Sequence, residues 1–150
     1  MRVVVQRVKN ASVTVDNSVV GKINIGFLVF VGFESTDSQQ DVDCMVKKVI
    51  NLRIFDDEND KINLALKDVN GSLLIVSQFT LYADCSHGNR PSFLEAAKPD
   101  VAVPLYEYFV SECKKQISNV QTGIFGADMK VSLLNDGPFT IIIDSKNKRY

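Results

Sequence analysis

Two short segments of this 150-residue chain carry residue types that could do chemistry. Ser77-Gln78-Phe79-Thr80-Leu81 packs two hydroxyls and a carboxamide together, directly after the apolar run Leu73-Leu74-Ile75-Val76. About 60 residues later, Asn135-Asp136-Gly137-Pro138-Phe139-Thr140 sits between Val131-Ser132-Leu133-Leu134 and Ile141-Ile142-Ile143. Thr80 is a candidate nucleophile, although no base beside it is evident, and strand alternation would put it on one face with Gln78 and turn Phe79 the other way. Without a nucleophilic role it is an ordinary β-former. Gly137-Pro138 is the oddity, because proline removes a ladder donor and glycine weakens a strand. The step is either a trans turn or a cis bond, which only an X-Pro step reaches readily. A cis step would turn its carbonyls outward as rigid acceptors, able to read the α-ammonium of an amino acid.

Other catalytic patterns are weaker. A Ser-His-Asp arrangement would rest on the single histidine, His87, within the flexible-looking Cys85-Ser86-His87-Gly88-Asn89. Cys85 and His87 are too close in sequence for thiolate-imidazole geometry. The cysteines (Cys44, Cys85 and Cys113) are widely spaced, so no zinc site is readable. Asp56 to Lys61 is acidic, but its spacing is not that of an EF-hand loop. No phosphate-cradling glycine loop is present; Gly123-Ile124-Phe125-Gly126 lacks a following helix.

The elements that must position the two segments follow from periodicity. Val3 to Val8, Ala11 to Val15 and the continuous apolar run Phe27 to Phe33 read as strands, the last one central. Ser35 to Ser38 offer caps for a helix from Gln39 to Asn51, with Val42, Met45, Val46, Val49 and Ile50 on one face. Arg53-Ile54-Phe55 is a short strand, and Asn70-Gly71 a hairpin-type turn before the first motif strand. Ala83 to Pro91 is a polar loop. Pro99 to Ile117 is a second helix, with Val103, Tyr106, Phe109, Val110 and Cys113 inward. Strands, helix, strands, helix, strands predict a single α+β domain over residues 1–150, with a curved, barrel-like sheet flanked by two helices.

Bulk properties narrow the partners. Seventeen Lys and Arg against 18 Asp and Glu give a net charge of −1, which argues against a strongly basic nucleic-acid protein while leaving room for a local patch. Lys146, Lys148 and Arg149 form the most basic stretch, and a solvated tail is the ordinary reading of it. The odd cysteine count and the lack of a signal-like segment predict a reducing, cytoplasmic setting. No run approaches the ~20 apolar residues a membrane span needs.

The whole chain resembles the D-aminoacyl-tRNA deacylases, also called D-tyrosyl-tRNA deacylases. The resemblance is carried by Arg2 to Val8 with Ala11-Ser12-Val13, by Leu52-Arg53-Ile54-Phe55 and by Leu74 to Asp84. Gly88-Asn89-Arg90-Pro91-Ser92-Phe93, Thr122 to Met129 and Asn135 to Thr140 continue it. It implies a homodimer of β-barrel-like subunits without metal or organic cofactor. It also implies hydrolysis of D-aminoacyl-tRNA, sometimes of glycyl-tRNA, at the 3′ end, with L-aminoacyl-tRNA rejected as chiral proofreading in translation. Gly137-Pro138 is expected cis and inserted into the partner subunit's site, binding substrate together with Ser77. Gln78, Phe79 and Thr80 are the expected catalytic segment, with either Thr80 as nucleophile or the tRNA 2′-hydroxyl assisting water. Arg7, Arg90 and the tail lysines are candidates for tRNA phosphate contacts. Two departures stand out: Phe139 where the family usually has valine, and Cys85-Ser86-His87 where it is often more basic.

Overall fold

The computed structural model describes residues 1–147, so Lys148 and Arg149 of the basic tail lie outside the described residues. The chain runs β1 (Arg2–Val15), β2 (Ser18–Ile23), β3 (Gly26–Gly32), α1 (Gln39–Ile50), β4 (Phe55–Asp56), β5 (Ile62–Leu64) and β6 (Ser72–Ser77). A short 3-10 helix (Phe79–Tyr82), α2 (Pro99–Lys114), β7 (Val120–Thr122) and β8 (Lys130–Asp144) complete it. This is the expected α+β domain with two main helices.

β1 is the beam of the sheet. Its first half pairs with β3 and its second half with β2, both antiparallel, while β8 runs antiparallel along its other edge. β6 lies parallel to β3, and β7 parallel to β6. The sheet curls until β2 lies against β7, so closely that a Cβ on Gly21 would stand 2.6 Å from Thr122 O. A glycine there is what lets the barrel nearly close.

The two halves of β1 face different cores. Val3 and Val5 join the core beneath the helices, with Phe27, Val29, Val42, Met45, Phe109 and Val110. Val8, Ala11 and Val13 join a second core inside the barrel, with Ile23, Leu28, Leu74 and Val76. Side chains alternate strictly along a strand, so Val8 and Ala11 can share a face only if one residue is extra. The register supplies it: Val8 pairs with Asn135 and Asn10 with Leu134, leaving Lys9 as a bulge. What reads in sequence as two strands is therefore one long strand.

Three local expectations change. Asn70-Gly71 is a turn, with Gly71 N–H donating to Leu66 O (2.9 Å). It is not a hairpin, however, because β6 leaves it to pair parallel with β3. Arg53 and Ile54 precede the strand rather than forming it. In α2, Ala102 and Leu105 join Tyr106, Phe109, Val110 and Cys113 in the core, while Val103 is only half-buried.

Candidate active site

β6 ends at Ser77, where Gln78 N–H donates to Val31 O (2.8 Å) as the last bond to β3. β3 stops one residue later and offers no further ladder. The backbone turns into the 3-10 helix instead, closing Leu81 N–H on Gln78 O (3.3 Å) and Ala83 N–H on Thr80 O (3.1 Å). Gln78 and Thr80 therefore do not share a strand face, as alternation had suggested. Their side chains still meet: Gln78 Nε2 donates to Thr80 Oγ1. The partner of the Thr80 hydroxyl is thus an amide donor, which cannot take its proton.

The first N–H groups of a helix have no partner within it. Here these are the amides of Phe79 and Thr80, and among the described residues neither has an acceptor. Two adjacent free donors beside a hollow can hold a developing oxyanion. The hollow is a cavity of about 530 Å³ lined by Ser77, Gln78 and Phe79. Phe33, Phe93, Phe125 and Met129 supply much of its apolar wall, and Lys98 and Asp128 are its charged members. Phe79 is 57% exposed and meets Phe93 edge to face, with ring centroids 5.1 Å apart. Phe93, Phe125 and Met129 belong to the segments that carry the resemblance, but nothing in their spacing marks them as cavity residues. The return of two separate loops to one hollow does that.

The first motif is braced from β1 by Arg2. Its Nη1 donates to Leu81 O (2.9 Å), its Nε pairs with Asp144 Oδ2 (2.9 Å), and its guanidinium lies 4.5 Å from the Tyr82 ring centre. Burial and the carboxylates of Asp37, Glu34 and Asp144 push the Tyr82 phenol far up, so it stays neutral. Burial raises the Cys113 thiol to about 12, which removes it as a nucleophile.

The second motif is an excursion of β8. Asn135 pairs with Val8 and Thr140 with Gln6, so five residue steps of β8 face two of β1. The surplus carries Gly137 (φ +123°) and a cis Gly137-Pro138 bond to the surface. Asn135 Nδ2 ties the base of the excursion, donating to Arg7 O (2.9 Å) and Phe139 O (3.1 Å). Behind it sits Arg7, only 5% exposed. Its Nε donates to Asp136 O (3.1 Å), its Nη1 to Ile54 O (2.6 Å), and Nη1 also lies 3.3 Å from Asp56 Oδ2. The guanidinium lies 4.3 Å from the Phe139 ring centre. Arg7 was a candidate phosphate contact, but it is buried, and its Nε and Nη1 are engaged inside the chain.

The structure thus brings Ser77, Gln78 and Phe79 to one cavity, with Thr80 beside them, and leaves Gly137 and Pro138 out of its lining. Arg90 and His87 are exposed on the loop between Ala83 and Pro91, and neither lines the cavity. Lys146 is drawn into an acidic cluster, 3.6 Å from Asp41 and 3.7 Å from Asp37. Among the described residues no helix is long and apolar enough to cross a membrane.

Comparison with known proteins decides the family. A family described as D-Tyr-tRNA(Tyr) deacylase matches residues 4–144. The chain belongs to the D-Tyr-tRNA(Tyr) deacylase family. A D-aminoacyl-tRNA deacylase of Flavobacterium psychrophilum is 58% identical over 149 residues, covering 99% of both chains. One from Thermosipho africanus is 58% identical over 146 residues, covering 97% of this chain and 98% of its own. Among solved structures, a c-Myc DNA unwinding element binding protein superposes with TM-score 0.90 at 38% identity, over 96% of this chain and 98% of its own. A probable eukaryotic D-amino acid tRNA deacylase does so with TM-score 0.80 at 20% identity, over 95% and 97%, a likeness of fold. As a member of this deacylase family the protein is a hydrolase of carboxylic esters, and its substrate class is D-aminoacyl-tRNA.

Proposed function

We propose that the cavity of one subunit holds the 3′-terminal aminoacyl-adenosine, and that Gly137-Pro138 of a second subunit completes the site and rejects L-amino acids. The observation that carries this reading is the separation of the two motifs. Gly137 and Pro138 are exposed at a braced tip, yet they do not line the cavity of their own chain. A dimer resolves the separation by bringing the tip of one copy to the cavity of the other. Apolar side chains exposed near both motifs support such an association, notably Phe79 and, at 72% exposure, Ile142.

Phe93, Phe125 and Met129 suit an adenine ring, which binds by stacking and apolar contact. The ester carbonyl would then lie against the amides of Phe79 and Thr80. Water adds to the carbonyl carbon, the bond to the 3′-oxygen breaks, and the vicinal 2′-hydroxyl relays the proton from water to the leaving oxygen. The shortage of bases around Thr80 supports this assisted route over a threonine nucleophile. The carbonyls of Gly137 and Pro138 would accept from the α-ammonium. With ammonium and ester both fixed, an L side chain points into the gate and a D side chain points away. Glycine has no side chain to exclude, so glycyl-tRNA follows as a second substrate. A cytoplasmic location suits a substrate drawn from translation.

The test is hydrolysis of D-tyrosyl-tRNA against L-tyrosyl-tRNA by the purified protein. The expected result is cleavage of the D form and sparing of the L form. Equal cleavage of both would remove the gate, and cleavage of neither with tight tRNA binding would favour a non-catalytic RNA-binding dimer.

A further inference from the structure

We propose that Phe139 is a positioning residue that sets the aim of Gly137-Pro138, acting through Arg7. The proposal rests on the reading that this tip serves the active site. The need for such a residue follows from the register. Neither Gly137 nor Pro138 pairs with β1, and both are exposed, so their orientation comes from the residues on either side. On the N-terminal side Asp136 O accepts from Arg7 Nε (3.1 Å). On the C-terminal side the contact is the Phe139 ring, with the guanidinium 4.3 Å from its centre. One buried cation therefore clamps both flanks of the tip.

The clamp has a fixed jaw. Arg7 cannot swing, because Nη1 is held by Ile54 O at 2.6 Å, outside the excursion. A cation over an aromatic face is attracted more strongly as water is excluded from it, and here Arg7 is buried and the Phe139 ring half-buried. The ring has a second contact. A Cβ on Gly137 would stand 2.4 Å from Phe139 Cδ2 and 3.0 Å from Arg7 Nη2. The ring therefore lies close against the only residue of the tip that has no side chain. It sets Gly137 from one side while Asn135 Nδ2 holds its own carbonyl from the other (3.1 Å). An aliphatic side chain of similar bulk would fill the space but would give the guanidinium no face to lie on.

The test compares Phe139→Leu, which keeps apolar bulk, with Phe139→Tyr, which keeps the ring. In the folded wild type, the ring current should shift the Arg7 side-chain Nε–H resonance upfield, and Gly137 and Pro138 should give single sharp signals. Phe139→Tyr should keep all three features. Phe139→Leu should return the Arg7 resonance to its ordinary position and broaden or split those of Gly137 and Pro138. In parallel, Phe139→Leu should lower the D-over-L selectivity of tyrosyl-tRNA hydrolysis about tenfold. KM for the D substrate should rise by less than selectivity falls, because the cavity is unchanged and only the ammonium contacts at the tip are loosened. Phe139→Tyr should restore the selectivity. Unmoved Gly137 and Pro138 signals in Phe139→Leu would overturn the proposal. So would an equal loss in both variants, which would reduce Phe139 to a packing residue. A wild type that cleaves neither enantiomer would sink the gate itself, and the resonances would still decide whether Phe139 aims the tip. If Phe139→Leu fails to fold, Phe139→Met with the same readouts decides the question.

Discussion

Arg2 and Arg7 do the same thing for the two motifs, from opposite faces of one strand. Arg2 donates to a carbonyl of the first motif, Leu81 O, and lies over Tyr82. Arg7 donates to a carbonyl of the second, Asp136 O, and lies over Phe139. β1 pairs with β3 without a break from Arg2 to Val8, so residues five apart must point to opposite sides of the sheet. The difference is in what each brace leaves free. At the first motif it leaves two amide donors bare beside a cavity; at the second it leaves Gly137-Pro138 exposed, outside the lining of that cavity and of the hollow beside Arg7 and Asp136. The first motif offers donors for a carbonyl, and the second offers the exposed tip that we propose discriminates.

The sharpest way to break this comparison is to remove the amide of the first motif. Phe79 is the first residue of the 3-10 helix, a position that tolerates proline because its N–H has no partner in the helix. Phe79→Pro should fold and lose about 10²- to 10³-fold in kcat, the cost of one oxyanion donor. Phe79→Ala, which removes the ring and keeps the amide, should lose much less. Equal losses, measured by single-turnover deacylation, would move catalysis from the backbone to the side chain.

Separation of the motifs predicts rescue between subunits. One inactive variant altered at Pro138 and another altered at Gln78 and Phe79 should recover activity when mixed as subunits. Random mixing makes half the dimers hybrid, each with one intact site of two, so about a quarter of full activity is the ceiling. Activity should also fall on dilution below the dimer dissociation constant. A fully active monomer, or verified hybrids without rescue, would place the tip in the site of its own chain.

The smallest effect is expected at Thr80, whose hydroxyl accepts from Gln78. Thr80→Ala should stay within about fivefold of the wild-type rate, the ~1 kcal/mol of a single neutral hydrogen bond. A substrate charged on the 3′-hydroxyl of a 2′-deoxyadenosine should react poorly with either protein. The reverse pattern, an inactive Thr80→Ala and a reactive deoxy substrate, would establish Thr80 as the nucleophile.

Much of this was legible in the residues themselves. The period of Val42, Met45, Val46, Val49 and Ile50 marks α1, and the unbroken apolar run from Phe27 marks the central strand, because these patterns are local consequences of helix and strand geometry. The two motifs were legible for a related reason: a Gly-Pro step and a run of polar residues stand out where the surrounding pattern demands apolar ones.

What the sequence could not decide is everything that depends on a partner distant in the chain. The strand pattern continues through Gln78 to Thr80, yet β6 stops because β3 has no more backbone to offer, and the bare amides result from that stop. Asn70-Gly71 has hairpin chemistry, but the strand after it finds a parallel neighbour elsewhere. Arg7 has the composition of a phosphate ligand and becomes a buried brace, because the bulged register of β8 brings Asp136 O and Phe139 to it across nearly the whole chain. Local pattern fixes which face of an element is apolar, whereas long-range pairing fixes which polar groups are used up and which are left over. The chemistry of this protein is in the ones left over.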